Sequence, residues 1–159
     1  MSVVTKSNLL YEGIGIVMDY LVSRITDPRS ADRTLEEPDA NERKQISFIK
    51  LKDGQTRVYP PHILVELSGG SNETGLLLNT IDFVNFSILV VGRDAKETFE
   101  LTQEVYDAFV DLTPRDYFSS RNLHRPRNFI TFPSIYPHEK RDGRFYGSMM
   151  LTLNFYHNT

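Results

Sequence analysis

The chain has no cysteine, and this absence excludes several kinds of chemistry together. Disulfide bonds, a thiolate nucleophile and a zinc site built on sulfur all require cysteine. Long apolar runs are missing too. Glu12 and Asp19 interrupt the apolar N-terminal stretch, so no uncharged segment reaches the ~18 residues of a membrane-spanning helix. We therefore expect a protein with no membrane anchor and no signal peptide, suited to a reducing cytoplasm.

The sequence also lacks an excess of positive charge. Its 18 basic and 21 acidic residues give a net charge of -3. A general nucleic-acid-binding protein usually presents a strongly basic surface, so we exclude non-specific DNA binding. The composition, 40% hydrophobic and 25% charged, is typical of a soluble globular protein. A length of 159 residues fits one domain with its own core.

Catalytic and metal-binding motifs are also missing. The four histidines have neither the i, i+4 pairing nor the nearby carboxylate of a metal site; they are His62, His124, His138 and His157. The glycine-rich stretch at 68–75, SGGSNETG, lacks the P-loop lysine and the nucleophile elbow of a serine hydrolase. Ser68 or Ser71 acting with a distant histidine stays open as an alternative. We assign no catalytic, cofactor or metal-binding residue and predict that the protein is not an enzyme.

An amphipathic helix is predicted near the N-terminus, with Ser7 as its cap and its end near Asp27 and Pro28. Apolar residues recur in it at three- and four-residue spacing, which predicts one buried stripe. The stripe is Leu10, Ile14, Val17, Met18, Leu21 and Ile25. Gly13 and Gly15 interrupt this helix and are interpreted as sites of close helix packing.

A second helix is predicted from Asp94 to about Leu112. Asp94 and Glu97 have the spacing of a capping box, and Pro114 stops the helix. Its predicted buried stripe is Leu101, Val105, Ala108, Phe109 and Leu112.

Several strands are predicted from alternation and turn residues. A hairpin turns at Lys52-Asp53-Gly54, a strand follows Pro61, and SGGSNETG is predicted to be turn or loop. The segment from Phe83 to Val91 is predicted to be a central strand, because its far end is apolar on both sides. A further strand is placed near 129–132, and a turn at Asp142-Gly143 leads into the last strand.

The last strand, FYGSMMLTLNFYH, alternates between two faces. One face is apolar, with Phe145, Gly147, Met149, Leu151, Leu153 and Phe155; the other carries Tyr146, Ser148, Met150, Thr152, Asn154 and Tyr156. The apolar face is predicted to pack on the helices. Tyr146 and Tyr156 are predicted contacts between subunits, since tyrosine combines an apolar ring with a polar tip.

Two segments are candidate contact arms. The polar loop at 27–45 contains Arg29 and Arg33 and exceeds the usual length of ordered connections; it is either a solvated excursion or an arm that orders against a partner. The segment after the second helix carries Arg121, Arg125 and Arg127 with few acids. It is either a loop that crosses to the next strand or a surface for an acidic partner.

The element order resembles that of tail terminator proteins of tailed bacteriophages, small neck proteins in which a strand, a capped helix and a closing strand follow this sequence. The resemblance rests on the apolar strand that leads into GRDAKETFELTQEVYDAF and on the final hairpin HEKRDGRFYGSMMLTLNFYH. It implies a single α+β domain over 1–159, with a mixed, mainly antiparallel β-sheet flanked by an N-terminal helix and a central helix.

The resemblance further implies a structural virion protein that acts as a homo-oligomeric ring of six copies. The ring would cap the tail tube protein, end tail elongation and meet the head-tail connector protein, with the tail sheath as a further partner in a contractile phage. DNA would pass through it only as cargo. The protein would assemble in the cytoplasm of the bacterial host and reside in the virion neck.

Two alternatives stay open. Another neck or baseplate protein, such as a head-tail joining protein, would share the small domain and the ring symmetry. A small hydrolase would need histidine, serine and an acid to converge in a pocket.

Overall fold

The computed structural model describes residues 3–25, 46–47, 62–74, 80–92, 94–111, 117–137 and 145–157. Two helices are present in this part of the chain, α1 (Leu9–Arg24) and α2 (Ala95–Val110). The strands are β1 (Ile46–Ser47), β2 (His62–Thr74), β3 (Thr80–Val91), β4 (Ser134–Pro137) and β5 (Phe145–His157). They form one five-stranded sheet in the order β1-β2-β3-β5-β4. β1 pairs with β2 in parallel and all other pairs are antiparallel, which confirms the predicted α+β class with a mixed, mainly antiparallel sheet.

Both helices pack on the same face of this sheet. Gly13 of α1 lies against Phe86 of β3, and a Cβ at this glycine would be 3.3 Å from the phenylalanine Cζ. Gly147 of β5 lies so close to Thr102 of α2 that a Cβ would overlap the threonine side chain. The close packing predicted at Gly13 is confirmed. At Gly15 it is wrong, because no atom lies within 4 Å of a Cβ placed there.

The core lies between the helices and the helix-facing side of β3 and β5. Alternate residues of both strands are buried there, as the period of two predicts: Val84, Phe86, Ile88 and Val90 on β3, and Gly147, Met149, Leu151, Leu153 and Phe155 on β5. β3 is central in the sheet, as predicted. The two-faced character of the final strand is also confirmed.

The second helix follows its prediction closely. Asp94 is the N-cap, and its Oδ1 accepts a 2.8 Å hydrogen bond from the Glu97 amide. Leu101, Val105 and Phe109 are buried, whereas Ala108 is half-buried. Two threonines, Thr98 and Thr102, complete the buried face.

The first helix departs from its prediction at both ends and in its buried face. Asn8, not Ser7, precedes the first turn of the helix. Its Oδ1 accepts a hydrogen bond from the Thr5 amide and does not cap the helix. The helix ends at Arg24, before Asp27. The face that meets the sheet is buried at six positions: Leu9, Gly13, Ile16, Val17, Tyr20 and Leu21. Of the predicted stripe, Val17, Leu21 and Ile25 are buried, and Ile14 and Met18 are half-buried and pack against the core. The prediction was wrong at Leu10, which is exposed, and it missed the buried Leu9, Ile16 and Tyr20.

The glycine-rich stretch is strand, not loop, as far as Thr74. Pairing of β2 with β3 shifts register between Leu67 and Gly69, and Gly69 has φ +126°, a conformation that favours glycine. A Cβ at Gly70 would collide with the carbonyl oxygen of Phe83. The glycines therefore mark a β-bulge and a close backbone approach. In the sequence alone, the same glycines resemble a turn.

The predicted strand at 129–132 is replaced by β4, which begins at Ser134. Before β4 the chain runs along the outer edge of β5 with two isolated bridges, His124 to Asn154 and Ile130 to Leu151. Pro126 and Pro133 lie in this segment, and proline cannot donate the hydrogen bonds of a continuous ladder. The outer edge of β5 is thus paired with two isolated bridges and the short strand β4 instead of one continuous strand.

Some predictions lie outside the described residues. They are the turn at 52–54, the loop at 27–45 with Arg29 and Arg33, the end of the second helix at Leu112 and the turn at 142–143.

Candidate interaction surfaces

An apolar stripe runs along the outside of α1. We call it the outer α1 stripe; it consists of Leu10, Tyr11, Ile14, Met18 and Val22. Tyr11 is 76% exposed and Leu10 58%, whereas Ile14 and Met18 are half-buried and also pack against the core. The acidic residues of the helix, Glu12 and Asp19, lie in a different sector of its circumference. A helix that is apolar around most of its surface is typical of a buried position, yet one side of α1 is open.

The outer α1 stripe points away from α2. Tyr20 is the α1 residue that meets α2: its hydroxyl donates to the Ala108 carbonyl, and its ring lies 5.4 Å from the ring of Phe109. Burial raises the pKa of Tyr20 to about 12, so the hydroxyl keeps the proton that it donates. Met18 precedes Tyr20 by two residues and lies about 160° from it around the helix. The stripe therefore occupies the side of α1 opposite this contact.

The second surface is the side of β3 and β5 that faces away from both helices, here called the open sheet face. On β3 it consists of Ile81, Phe83, Asn85, Ser87 and Leu89. On β5 it consists of Ser148, Met150, Thr152 and Tyr156, which lie opposite those residues in the strand register. All are at least partly exposed, and none carries a formal charge.

The open sheet face is ordered by polar contacts within it. Thr152 Oγ1 donates a 2.8 Å hydrogen bond to Asn85 Oδ1 across the two strands. On the same side, His62, Leu64 and Val91 are buried toward one end and Asn154 toward the other. Glu66 of the neighbouring β2 lies opposite Ser87 on this side. The solvated face of an antiparallel sheet is usually polar, whereas Ile81, Phe83, Leu89 and Met150 make this one largely apolar on β3 and β5.

A smaller aromatic patch lies on the other flank of the helix layer. Phe99, Tyr106 and Val110 share one side of α2, and the Phe132 ring packs edge-on against Tyr106 at 5.5 Å. Phe132 is 78% exposed. The acidic residues of α2, including Glu100 and Glu104, lie on a neighbouring side of the helix.

The structure assigns different surroundings to the three predicted arginines that it describes. The Arg121 guanidinium lies 3.7 Å from the centre of the Tyr117 ring and donates to the Tyr117 carbonyl. Arg125 lies 4.6 Å from the centre of the Phe129 ring. Arg127 is exposed. Arg121 and Arg125 thus brace their own segment, and Arg127 is the one whose side chain extends into solvent.

The two predicted tyrosines lie at opposite ends of β5. The Tyr146 ring is half-buried and lies 5.7 Å from that of Tyr136 in β4. Tyr156 is 44% exposed, and its ring lies 5.2 Å from the imidazole of His124. Tyr156 belongs to the open sheet face. Tyr146 lies on the same side of β5, opposite Val91, and forms an aromatic pair with Tyr136 of β4.

A polar cluster ties the end of β5 to its neighbours on the helix-facing side. Asp82 accepts hydrogen bonds from Asn72 of β2 and shares one with Nε2 of His157. The Phe155 ring packs against that imidazole at 4.8 Å. Burial raises the pKa of the Asp82 carboxyl, but the hydrogen bonds of His157 and Asn72 act in the other direction, and the pKa is lowered overall. The cluster links three strands.

Sequence reasoning missed the outer α1 stripe and the exposed Phe99 and Phe132. A signal for the stripe was present: the apolar residues of α1 occupy more of the circumference than one buried face requires. No comparable signal marks Phe132, whose exposure depends on where the chain crosses the edge of β5.

In the described part of the chain, neither helix is long and apolar enough to span a lipid bilayer. No group of three or more histidine, aspartate or glutamate residues there is placed to hold a metal ion. Comparison with models of known protein families gives no match, and no curated protein sequence matches the chain.

Proposed function

We propose that this chain is a structural protein of a tailed bacteriophage neck, of the tail terminator type, and that six copies form a ring on the end of the tail tube. The observation that carries the proposal is the pair of uncharged surfaces on different sides of one domain, the outer α1 stripe and the open sheet face. Two different surfaces of one subunit allow a heterologous contact between copies, and such contacts form a ring when the rotation between neighbouring copies closes.

A ring suits the end of a tube for a reason of symmetry. A closed ring offers every terminal tube subunit an equivalent contact, so it blocks further addition at all positions at once. Its other side is then available to the connector on the head, and to the end of the sheath in a contractile phage. DNA passes through the ring without being its ligand. The protein assembles in the bacterial cytoplasm and resides in the virion neck.

Assembly is tested first with purified protein. The wild-type chain is expected to elute as one oligomer whose mass by light scattering corresponds to six copies, with rings in negative-stain images. Tyr11→Glu places a charge at the most exposed position of the outer α1 stripe and is expected to yield monomers. Ser23→Glu adds the same charge at an exposed position about 120° away around the helix and should leave the ring intact. A monomeric wild-type protein would contradict the proposal.

Function is tested in a phage or prophage that carries the gene. Deletion is expected to yield tails longer than normal or unable to join heads, while heads still fill with DNA. Wild-type and Ser23→Glu proteins should restore virions, and Tyr11→Glu should not. Complete virions with normal tails after deletion would overturn the terminator role. Normal-length free tails beside filled heads would indicate a joining protein, and empty heads a different neck component.

A further inference from the structure

Arginines from two separate segments lie on one group of aromatic rings. The guanidinium carbon of Arg24 lies 5.7 Å from the centre of the Tyr20 ring, and that of Arg121 lies 3.7 Å from the centre of the Tyr117 ring. Both distances fall within the ~6 Å of a cation–π contact. The two tyrosine rings are 5.2 Å apart. The end of α1 and the segment after α2 therefore present positive charge at one place.

Arg125 and Arg127 extend this positive area. Burial raises the pKa of Tyr20, and the charges of Arg24 and Arg125 partly offset that rise, so Arg125 is close enough to act on the same hydroxyl group. Arg127 follows Arg125 by two residues, which places their Cα atoms within about 7 Å of each other, and its side chain is exposed. We call Arg24, Arg121, Arg125 and Arg127 the arginine cluster.

The arginine cluster has no acidic partner in the described part of the chain. None of its four side chains forms an ion pair with a carboxylate among the described residues. A guanidinium carries five N–H donors, and Nη1 is the nitrogen of Arg121 that donates within its own segment. Stacking on a ring fixes the plane of the guanidinium, so less side-chain freedom is lost when a carboxylate binds the remaining N–H groups. The cluster is therefore preorganised for an acidic ligand.

The surroundings of the arginine cluster favour a protein ligand over a nucleic acid. Asp19 and Asp111 act on the same tyrosines as the arginines, with the opposite charge. A nucleic-acid backbone carries only negative charge and would be repelled by these aspartates. A protein can place carboxylates on the arginines and a cation near the aspartates. The net charge of the chain, -3, also opposes long-range attraction of DNA or RNA.

The acidic residues of α2 are less suited to fill the cluster of another copy. Glu100 Oε1 lies 3.7 Å from Lys96 Nζ, and Asp107 accepts a 2.7 Å hydrogen bond from Gln103. Both carboxylates thus have partners within their own helix. A different protein is the favoured source of the acidic ligand.

We propose that the arginine cluster is a docking site for an acidic segment of a different protein. The inference goes beyond the ring of the proposed function and does not depend on it. Arg24 and Arg121, held on their rings, bind carboxylates of the segment in bidentate pairs, and Arg125 and Arg127 extend the contact. Single ion pairs at a surface contribute little, so affinity depends on several pairs together and decreases as salt rises.

Binding is tested with a fluorescently labelled polyglutamate peptide as the probe, measured by anisotropy at increasing salt. The wild-type chain is expected to bind the peptide. Arg24→Gln and Arg127→Gln each remove one exposed charge and should weaken binding about twofold to fivefold, with a larger loss in the double variant. Arg121→Lys keeps the charge but loses the planar fork, and it should weaken binding as well.

Lys96→Gln is the matched control. It removes an exposed cation of α2 that lies about 18 Å along the helix from Ala108, the residue whose carbonyl accepts the Tyr20 hydroxyl. The affinity of this variant for the peptide should equal that of the wild type. Circular dichroism melts verify that every variant is folded.

The other outcomes overturn this docking site. Absence of peptide binding, or cluster variants that bind like the wild type, would show that the cluster is not a site for acidic segments. A labelled DNA duplex is measured in parallel, and tighter binding of the duplex that the same variants weaken would assign the cluster to nucleic acid. An oligomer that Arg24→Gln or Arg127→Gln dissociates in light scattering would assign it to a second copy. A monomeric wild-type chain that binds the peptide would refute the proposed ring and leave this inference intact.

Discussion

The two sides of β3 and β5 differ in what they meet. On one side, alternate residues such as Phe86 and Leu151 are fully buried beneath the helices. On the other side, Met150 and Leu89 are only partly buried, although they are equally apolar. The same strands therefore contain a finished interface and an uncharged surface without a described partner. The difference shows that alternate residues of one strand separate the subunit core from its surface.

The sharpest test of this comparison is a truncation on each side. Phe86→Ala removes a ring that is fully buried and contacts Gly13, and it is expected to lower the free energy of unfolding by about 3–5 kcal/mol. Met150→Ala, on the open side, is expected to cost less than ~1 kcal/mol in dissociated subunits. Urea unfolding at low protein concentration measures both. Equal losses would show that both sides are part of the subunit core.

A smaller effect is expected where the helix layer approaches the sheet most closely. Gly147→Ala would push its methyl group into Thr102, and overpacking of this kind costs about 1–3 kcal/mol. Gly15→Ala is the matched control, because its methyl group meets nothing within 4 Å and alanine favours a helix by up to ~1 kcal/mol. We expect the first variant to melt at a lower temperature and the second to melt at the same temperature or higher. The reverse order would contradict the packing of α2 on β5.

The N-cap of α2 is expected to contribute less to the free energy of unfolding than the packing at Gly147. Asp94→Ala removes the acceptor of the Glu97 amide and should cost about 1 kcal/mol. Asp94→Asn retains an acceptor and should recover most of that loss, which urea unfolding can resolve. If both variants unfold like the wild type, this hydrogen bond contributes nothing to stability.

The elements that were predicted correctly have strong local signals. The cap and stripe of α2 and the alternation of β5 depend on neighbouring residues and need no knowledge of tertiary structure. The stripe of α1 was misjudged because its apolar residues surround most of the helix, and only the position of Phe86 decides which side is buried. The bulge at Gly69 resembles a turn in sequence because glycine serves both. Which side of the sheet is exposed depends on the side against which the helices pack, and the strand sequences do not specify that side. The position of Arg121 depends on its stacking on the Tyr117 ring, which residue spacing does not reveal.

The polar cluster at the end of the helix-facing side is expected to have the smallest effect, and the effect depends on pH. The folded-state pKa of Asp82 is lower than its ordinary value of 3.8, so the folded state binds a proton less readily than the unfolded state. The carboxylate therefore contributes stability that is fully present above about pH 4 and is lost as the pH falls through the lower folded-state pKa. Asp82→Asn should flatten the decrease in melting temperature between pH 5 and pH 3, roughly the range in which aspartate titrates. Glu104→Gln, which neutralises an exposed carboxylate on α2, serves as the control and should follow the wild-type profile. If the Asp82→Asn profile also matches the wild type, the hydrogen bonds to His157 and Asn72 do not hold the end of β5 to its neighbours.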